Sequence, residues 1–169
     1  MEELTFKIIS TEKITSGIAE NFIGLLKKQN KVKTPTVEKI QSCFRVVLCY
    51  ADQNLIGIGA LKTKTSSDFT TSKADLPDLE PKFTWELGYM YVDENFKNYG
   101  ISTTISRLLL KQLPNQNIMA STELYNDNPM IYILEKFGFQ KFGKPWPSAK
   151  HDGTLGLFLK FKKGETNGK

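Results

Sequence analysis

The chain has 169 residues, 40% of them hydrophobic and 24% charged, which is ordinary globular material with a core large enough to fold unaided as one domain, 1–169. No segment approaches the apolar run of about 20 residues that crosses a bilayer, and Met1-Glu2-Glu3-Leu4 lacks the basic and apolar regions of a signal peptide. The net charge of +5 is mild, and with no arginine-rich run or RNA-binding motif beside it, a solvated basic surface is expected rather than a nucleic-acid partner.

Leu4 to Ile9 alternates as a first strand, and Ser10 or Thr11 then caps a helix striped by Ile14, Ile18, Phe22, Leu25 and Leu26. A shorter helix is predicted from Thr34-Pro35, with Val37, Ile40 and Phe44 on one face. Arg45 to Tyr50 and Leu55 to Lys64 read as strands joined in a hairpin at Ala51-Asp52-Gln53-Asn54. Cys43 and Cys49 lack metal-ligand spacing and read as small core residues in a reducing cytoplasm, so no metal is expected. Thr65 to Lys82 is the longest irregular stretch, and a loop of that length is usually functional or disordered.

Trp85 to Leu110 is the most informative stretch. Trp85 to Val92 is aromatic and branched, as a half-buried strand should be. Asp93 to Ser102 then form a glycine-bearing turn, and Ile101, Ile105, Leu108 and Leu109 recur on one helical face. A loop running into a helix start leaves several backbone N–H groups unpaired and aimed at one spot, an arrangement that attracts phosphate. Beyond Leu113-Pro114, Ile118 to Glu123 is a strand, and Pro129 opens a helix through Met130, Ile133, Leu134 and Phe137 that Gly138 stops. Phe139 to Phe142 and Thr154 to Phe161 form a last strand pair, and Lys163 to Lys169 is expected to be a loose tail. Alternating strands and helices give an α/β (α+β) class built on one mixed sheet.

Two motifs make the chain resemble the GNAT superfamily, the acyl-CoA-dependent N-acyltransferases. The family's CoA loop, Gln/Arg-x-x-Gly-x-Gly/Ala, stands here as Lys97-Asn98-Tyr99-Gly100-Ile101-Ser102, with Gly100 matched, Lys97 for the Gln or Arg, and Ser102 for the last small residue. The family's Asn-x-x-Ala-x-x-x-Tyr-Glu-Lys-x-Gly-Phe run ends here in Leu134-Glu135-Lys136-Phe137-Gly138-Phe139, matched from the glutamate onward. Its asparagine position falls on Asp127, with Asn126 and Asn128 on either side.

The resemblance implies a central twisted mixed sheet flanked by helices, and direct transfer of an acetyl group from acetyl-CoA to an amine. It implies that Lys97, Asn98, Tyr99, Gly100, Ile101, Ser102 and Thr103 cradle the pyrophosphate, with Asn126 and Asn128 also facing the cofactor. Tyr91 and Val92 would offer backbone to the pantetheine arm, and Met90 its N–H to the thioester oxygen. Glu86 lies eleven residues before Lys97, the spacing at which histone-type members carry their base. Glu86 read without the family is a strand residue on a solvated face or paired with a lysine. Gly88 marks either a bulge that opens a slot for the arm or close packing of a neighbour.

Leu134 stands where many members have a proton-donating tyrosine. Tyr132 is two residues away, about 200° round a helix, so water, Tyr125 or Tyr91 is left as the acid, or none is needed. Without an assigned acid, a non-catalytic acyl-CoA-binding sensor is the alternative to an enzyme. The acids Asp68, Asp75, Asp78 and Glu80, set against Lys73, would border the acceptor site or form a solvated loop, and the solvated loop is favoured. His151, beside Asp152 and Gly153, reads as a turn residue, and Trp146 as a packing or dimer-contact residue. The expected partners are therefore acetyl-CoA and an amine acceptor; oligomeric state is left open, a homodimer being one option because dimers are common among relatives.

Overall fold

Where apolar residues alternate, the chain forms strands, and where they recur every three or four residues, it forms helices. In the computed structural model, which describes residues 2–30, 33–150 and 152–165, seven strands and four α-helices appear among the described residues. The strands are β1 (Leu4–Ser10), β2 (Arg45–Ala51), β3 (Asn54–Thr63), β4 (Trp85–Val92), β5 (Ile118–Glu123), β6 (Gln140–Pro147) and β7 (Thr154–Lys160). The helices are α1 (Ser16–Leu26), α2 (Val37–Gln41), α3 (Ile101–Leu110) and α4 (Pro129–Lys136). The strands join in the order β1-β2-β3-β4-β5-β7-β6. The β4–β5 pair is parallel, whereas β1–β2, β2–β3, β5–β7 and β6–β7 are antiparallel. This is the mixed sheet expected from the sequence.

Two compact units divide the chain: Met1–Lys62 with Leu87–Leu113, and Thr63–Glu86 with Pro114–Lys169. In the first, Ile14, Phe22, Leu26, Ile40, Val46, Leu48, Ile58 and Tyr91 belong to one buried cluster. Thr15, rather than Ser10 or Thr11, caps α1, its hydroxyl accepting from the Ile18 N–H at 3.2 Å. A 3-10 turn at Thr11–Lys13 intervenes, held by the Thr11 hydroxyl donating to the Cys43 and Phe44 carbonyls. Likewise α2 begins at Val37 behind a Thr36 cap rather than at Thr34-Pro35. In both cases the Ser/Thr signal is repeated within a few residues, and the copy whose oxygen reaches a helical N–H wins. Burial raises the pKa of Cys43 and of Cys49 to about 11, so both thiols stay protonated core groups.

Helix α3 approaches β3 closely because β3 carries glycine at two facing positions. A Cβ at Gly57 would stand 3.0 Å from Ile101 Cγ2, and one at Gly59 would stand 2.6 Å from Ile105 Cγ2. Ile101, Ile105 and Leu109 are fully or almost fully buried, while Leu108 is only partly so. The face that packs is thus the i, i+4, i+8 row, completed by Ser106 and Leu110.

In the second unit the long stretch after β3 is neither a solvated nor a featureless loop. It folds into 3-10 turns at Ser66–Phe69 and Glu80–Lys82, and buries Phe69, Ala74 and Phe83 with Met119, Trp146, Leu157 and Leu159. The Lys144 N–H donates to the Ala74 carbonyl at 2.9 Å, and a Cβ at Gly143 would collide with that carbonyl. Strand β6 consequently runs past the expected Phe142 to Pro147, through a register shift between Phe142 and Trp146. Its two prolines are accommodated because β6 is last in the strand order, where a missing N–H leaves no ladder bond unmade. Of the tail, Lys162 and Lys163 donate backbone N–H groups to Asn117 Oδ1 (2.7 Å) and Asn115 Oδ1 (3.1 Å), and residues 166–169 lie outside the described residues.

The glycine contacts give opposite expectations at two positions. Gly59→Ala should lower the unfolding free energy by about 1–3 kcal/mol, because Ile105 must move. Gly24→Ala, on α1 with nothing within 4 Å of the added Cβ, should raise it by about 0.5–1 kcal/mol. Urea unfolding of both variants checks the pair; equal effects would mean that α3 does not depend on the close approach.

Candidate functional site

Strand β4 loses its regular dihedrals at Tyr89, which takes φ 54°. The sequence offers Gly88 as either a bulge or a close-packing position, and the left-handed residue is its neighbour Tyr89. A tyrosine there is strained by about 1 kcal/mol or more and needs surroundings that hold it. They are present: the Phe22 ring meets Tyr89 edge-on with centroids 6.2 Å apart, and the Lys62 ammonium lies 5.4 Å from the Tyr89 ring centroid. One residue on, the Met90 carbonyl accepts from Gln29 Nε2 at 3.2 Å. Tyr91 and Val92 are both buried, and burial pushes the Tyr91 phenol above its ordinary pKa, with the Glu94 and Asp93 charges adding to the shift. That makes Tyr91 a weak proton donor.

After β4 the chain is pinned by Asp93, whose N–H donates to the Ile56 carbonyl at 2.8 Å and whose Oδ1 accepts from the Asn95 N–H. Asn98 (φ 70°) and Gly100 (φ 72°) are both left-handed, and Gly100 is the residue that caps α3. Because a Cβ at Gly100 would meet nothing within 4 Å, the dihedral and not crowding calls for glycine. No side chain caps this helix, and its first N–H to find a partner is Thr104, on the Gly100 carbonyl at 3.0 Å. The N–H groups of Ile101, Ser102 and Thr103 are therefore left without intrahelical acceptors at the positive end of the helix dipole. Ile101 is buried, Ser102 and Thr103 are partly exposed, and Asn98 and Tyr99 are exposed. Lys97 currently pairs with Glu94 at 2.9 Å, both ends well exposed, so its ammonium can exchange that partner for another anion.

In the second unit Glu86 is 8% exposed and its Oε1 accepts twice from Thr65, from the N–H at 2.8 Å and the hydroxyl at 2.7 Å. The solvated-face reading of Glu86 is thereby overturned. Thr65 also receives, on its carbonyl, the N–H of Asp68 at 3.1 Å. Asp68, expected on a solvated loop, is 5% exposed. Burial holds its carboxyl above the usual aspartate range, the Glu86 charge adds to this, and Lys73 at 3.4 Å and Ser121 oppose it. The other loop acids are largely engaged: Glu80 with Lys64 at 2.8 Å and Asp75 with Lys144 at 3.2 Å. The idea that this stretch draws in a cationic amine is weakened accordingly, since its charges are already balanced by lysines.

Asn128 caps α4. Its Oδ1 accepts from the Met130 N–H at 3.0 Å, and its Nδ2 donates to Thr122 Oγ1 and to the Glu123 carbonyl. Those bonds give Asn128 a structural task, whereas Asn126 is exposed. Leu134 is 1% exposed and packed inward, while Tyr132 is 71% and Tyr125 49% exposed. Trp146 is a packing residue of the second unit's core. His151 lies outside the described residues. Among the described residues no group of three or more His, Cys, Asp or Glu could hold a metal, and no helix is long and apolar enough to cross a membrane.

Asp68 has a measurable signature. A carboxyl whose folded pKa is raised contributes stability that is full below its unfolded pKa and lost as pH rises through the folded one. Asn cannot ionise, so the stability of Asp68→Asn relative to wild type should climb as pH rises above the ordinary aspartate range. Urea midpoints across that rise test it; a difference that is flat with pH would show that burial does not penalise the Asp68 charge.

Comparison with solved structures finds the same fold repeatedly. Escherichia coli ElaA superposes with a TM-score of 0.68 at 9% identity, covering 94% of this chain and 99% of its own. Arabidopsis thaliana NAA60, solved in complex with a bisubstrate analogue, gives 0.65 at 15% identity, with 96% and 100% covered. YncA from Salmonella typhimurium, solved with its cofactor acetyl-CoA, gives 0.63 at 11% identity, with 98% of each chain covered. At these identities the likeness is one of fold. Among curated protein sequences none matches this chain. The model of the acetyltransferase (GNAT) family, however, matches residues 20–139, a span that begins within α1 and includes the left-handed Gly100 cap and the Glu-Lys-x-Gly-Phe run. The chain belongs to the GNAT acetyltransferase family.

Proposed function

We propose that this protein transfers an acetyl group directly from acetyl-CoA to a primary amine, either a small molecule or a protein amino group. The observation that carries the reading is the uncapped start of α3, where left-handed Gly100 leaves the N–H groups of Ile101, Ser102 and Thr103 without intrahelical partners. A diphosphate supplies the acceptor oxygens such a terminus lacks, and its charge is favoured by the helix dipole. Left-handed Asn98 gives the preceding loop the concave N–H arrangement of an anion nest, and Lys97 adds a mobile positive charge.

In this reading the backbone of Met90, Tyr91 and Val92 lines the path of the pantetheine arm, and the Met90 N–H meets the thioester oxygen. Glu86 precedes Met90 on the same strand by four residues and accepts a proton from the amine nitrogen as that nitrogen attacks the thioester carbon. The new C–N bond forms, the C–S bond breaks, and the thiolate takes its proton from water. Thr65 supports this role by fixing the Glu86 carboxylate with two hydrogen bonds. One observation favours a second reading, an acyl-CoA-binding sensor without chemistry: Leu134 stands at the family's tyrosine position and is buried.

Two variants test the proposal. Ser102→Asp places a carboxylate at the α3 terminus, which suits the empty helix but repels a diphosphate. It should leave apo stability unchanged or higher, while raising the CoA Kd by about tenfold or more, read by calorimetry. Glu86→Gln should leave that Kd intact and reduce thiol release with an amine panel by about 100-fold. Binding with no thiol release in the wild type would support the sensor; no binding at all would reject both readings.

A further inference from the structure

Strand β4 is held from α1 at two consecutive residues, and the second hold has no part in the core. Phe22, on α1, meets the strained Tyr89 ring. Gln29 sits in the 3-10 turn Lys27–Gln29 that extends α1, just before left-handed Asn30, and its Nε2 donates to the Met90 carbonyl at 3.2 Å. Gln29 and Met90 are both only partly buried. A half-exposed side chain that bonds the main chain of a strand 61 residues away serves placement more than burial.

In an extended strand the N–H and C=O of one residue point to the same edge, which is why paired residues exchange both bonds. The Met90 carbonyl is taken by Gln29, so the Met90 N–H lies on the edge that Gln29 addresses. With Tyr89 left-handed, the regular ladder does not by itself set the rotation of the next residue. The Gln29 bond supplies that constraint at the Met90 carbonyl. The amide orientation is unambiguous, because a carbonyl accepts only from the nitrogen end of Gln29.

We propose that Gln29 is a positioning residue for acetyl transfer: its bond to the Met90 carbonyl aims the Met90 N–H at the thioester oxygen. This rests on the proposed acetyl-CoA reading. It predicts that Gln29 matters for the acetyl end of the ligand and not for the diphosphate end, which α3 grips. Hydrogen bonds aimed at a thioester oxygen act through alignment, and a small displacement weakens them steeply.

The test uses the full chain, CoA, and acetyl-CoA labelled with 13C at the thioester carbonyl. In the wild type the bound carbonyl stretch should lie below its free value. Gln29→Met, of similar length without a donor, should return that stretch toward the free value. The same variant should weaken acetyl-CoA by about three- to tenfold and leave the CoA Kd within about twofold. A carbonyl shift retained in Gln29→Met would overturn the role of Gln29 alone. So would equal losses for CoA and acetyl-CoA, which a purely structural tether produces. A wild-type protein that binds acetyl-CoA with no carbonyl shift, or fails to bind it, would instead remove the reading on which the inference rests.

Discussion

The first unit depends on helix α3 lying close on strand β3 where Gly57 and Gly59 carry no side chain. Gly57 and Gly59 leave the room that Ile101 and Ile105 occupy, and the added Cβ atoms would stand 3.0 Å or less from those side chains. That contact places the first residue of the helix, Ile101, in the core while the N–H groups of its first turn stay uncapped. The close approach of α3 to β3 and the uncapped first turn of the helix thus meet at Ile101.

Around β4 the molecule tolerates local strain where its chemistry is proposed. Tyr89 occupies a region of dihedral space that costs a branched or aromatic residue energy, and it is kept there by an edge-on phenylalanine and an overlying lysine. Strain of this kind persists only where neighbouring contacts over-determine it. Here those contacts come from α1 and β3, so the conformation of the strand depends on residues distant in sequence.

The second unit shows how an apparently loose stretch becomes structure. Thr65 to Lys82 has the composition of a loop, and its polarity hides two apolar anchors, Phe69 and Ala74, with Phe83 just beyond it, spaced without period. Such anchors are invisible to a search for regular recurrence. Once they pack with Trp146, the neighbouring acids follow: Asp68 is drawn inward beside Glu86, and Asp75 meets Lys144. Asp68 and Phe69, neighbours in the 3-10 turn Ser66–Phe69, are buried together. An Asp-Phe pair between two serines and two threonines was the only local sign available.

By itself the sequence determined the elements whose signals are local. Strands with clear alternation, α3 with its four-residue apolar spacing, the glycine before it, the Pro129 start of α4 and the Glu-Lys-x-Gly-Phe run were all legible, because each depends on residues within about one or two turns of each other. Those were enough for the mixed-sheet class and the family. Only the tertiary structure decided which of two adjacent cap signals starts α1 and α2, which β4 residue becomes left-handed, and that Glu86 is buried against Thr65. It also decided that Asn128 is absorbed by capping α4 and that Gln29 reaches Met90. The Thr65–Glu86 and Gln29–Met90 bonds join segments 21 and 61 residues apart, and their energy exists only after both have been brought together.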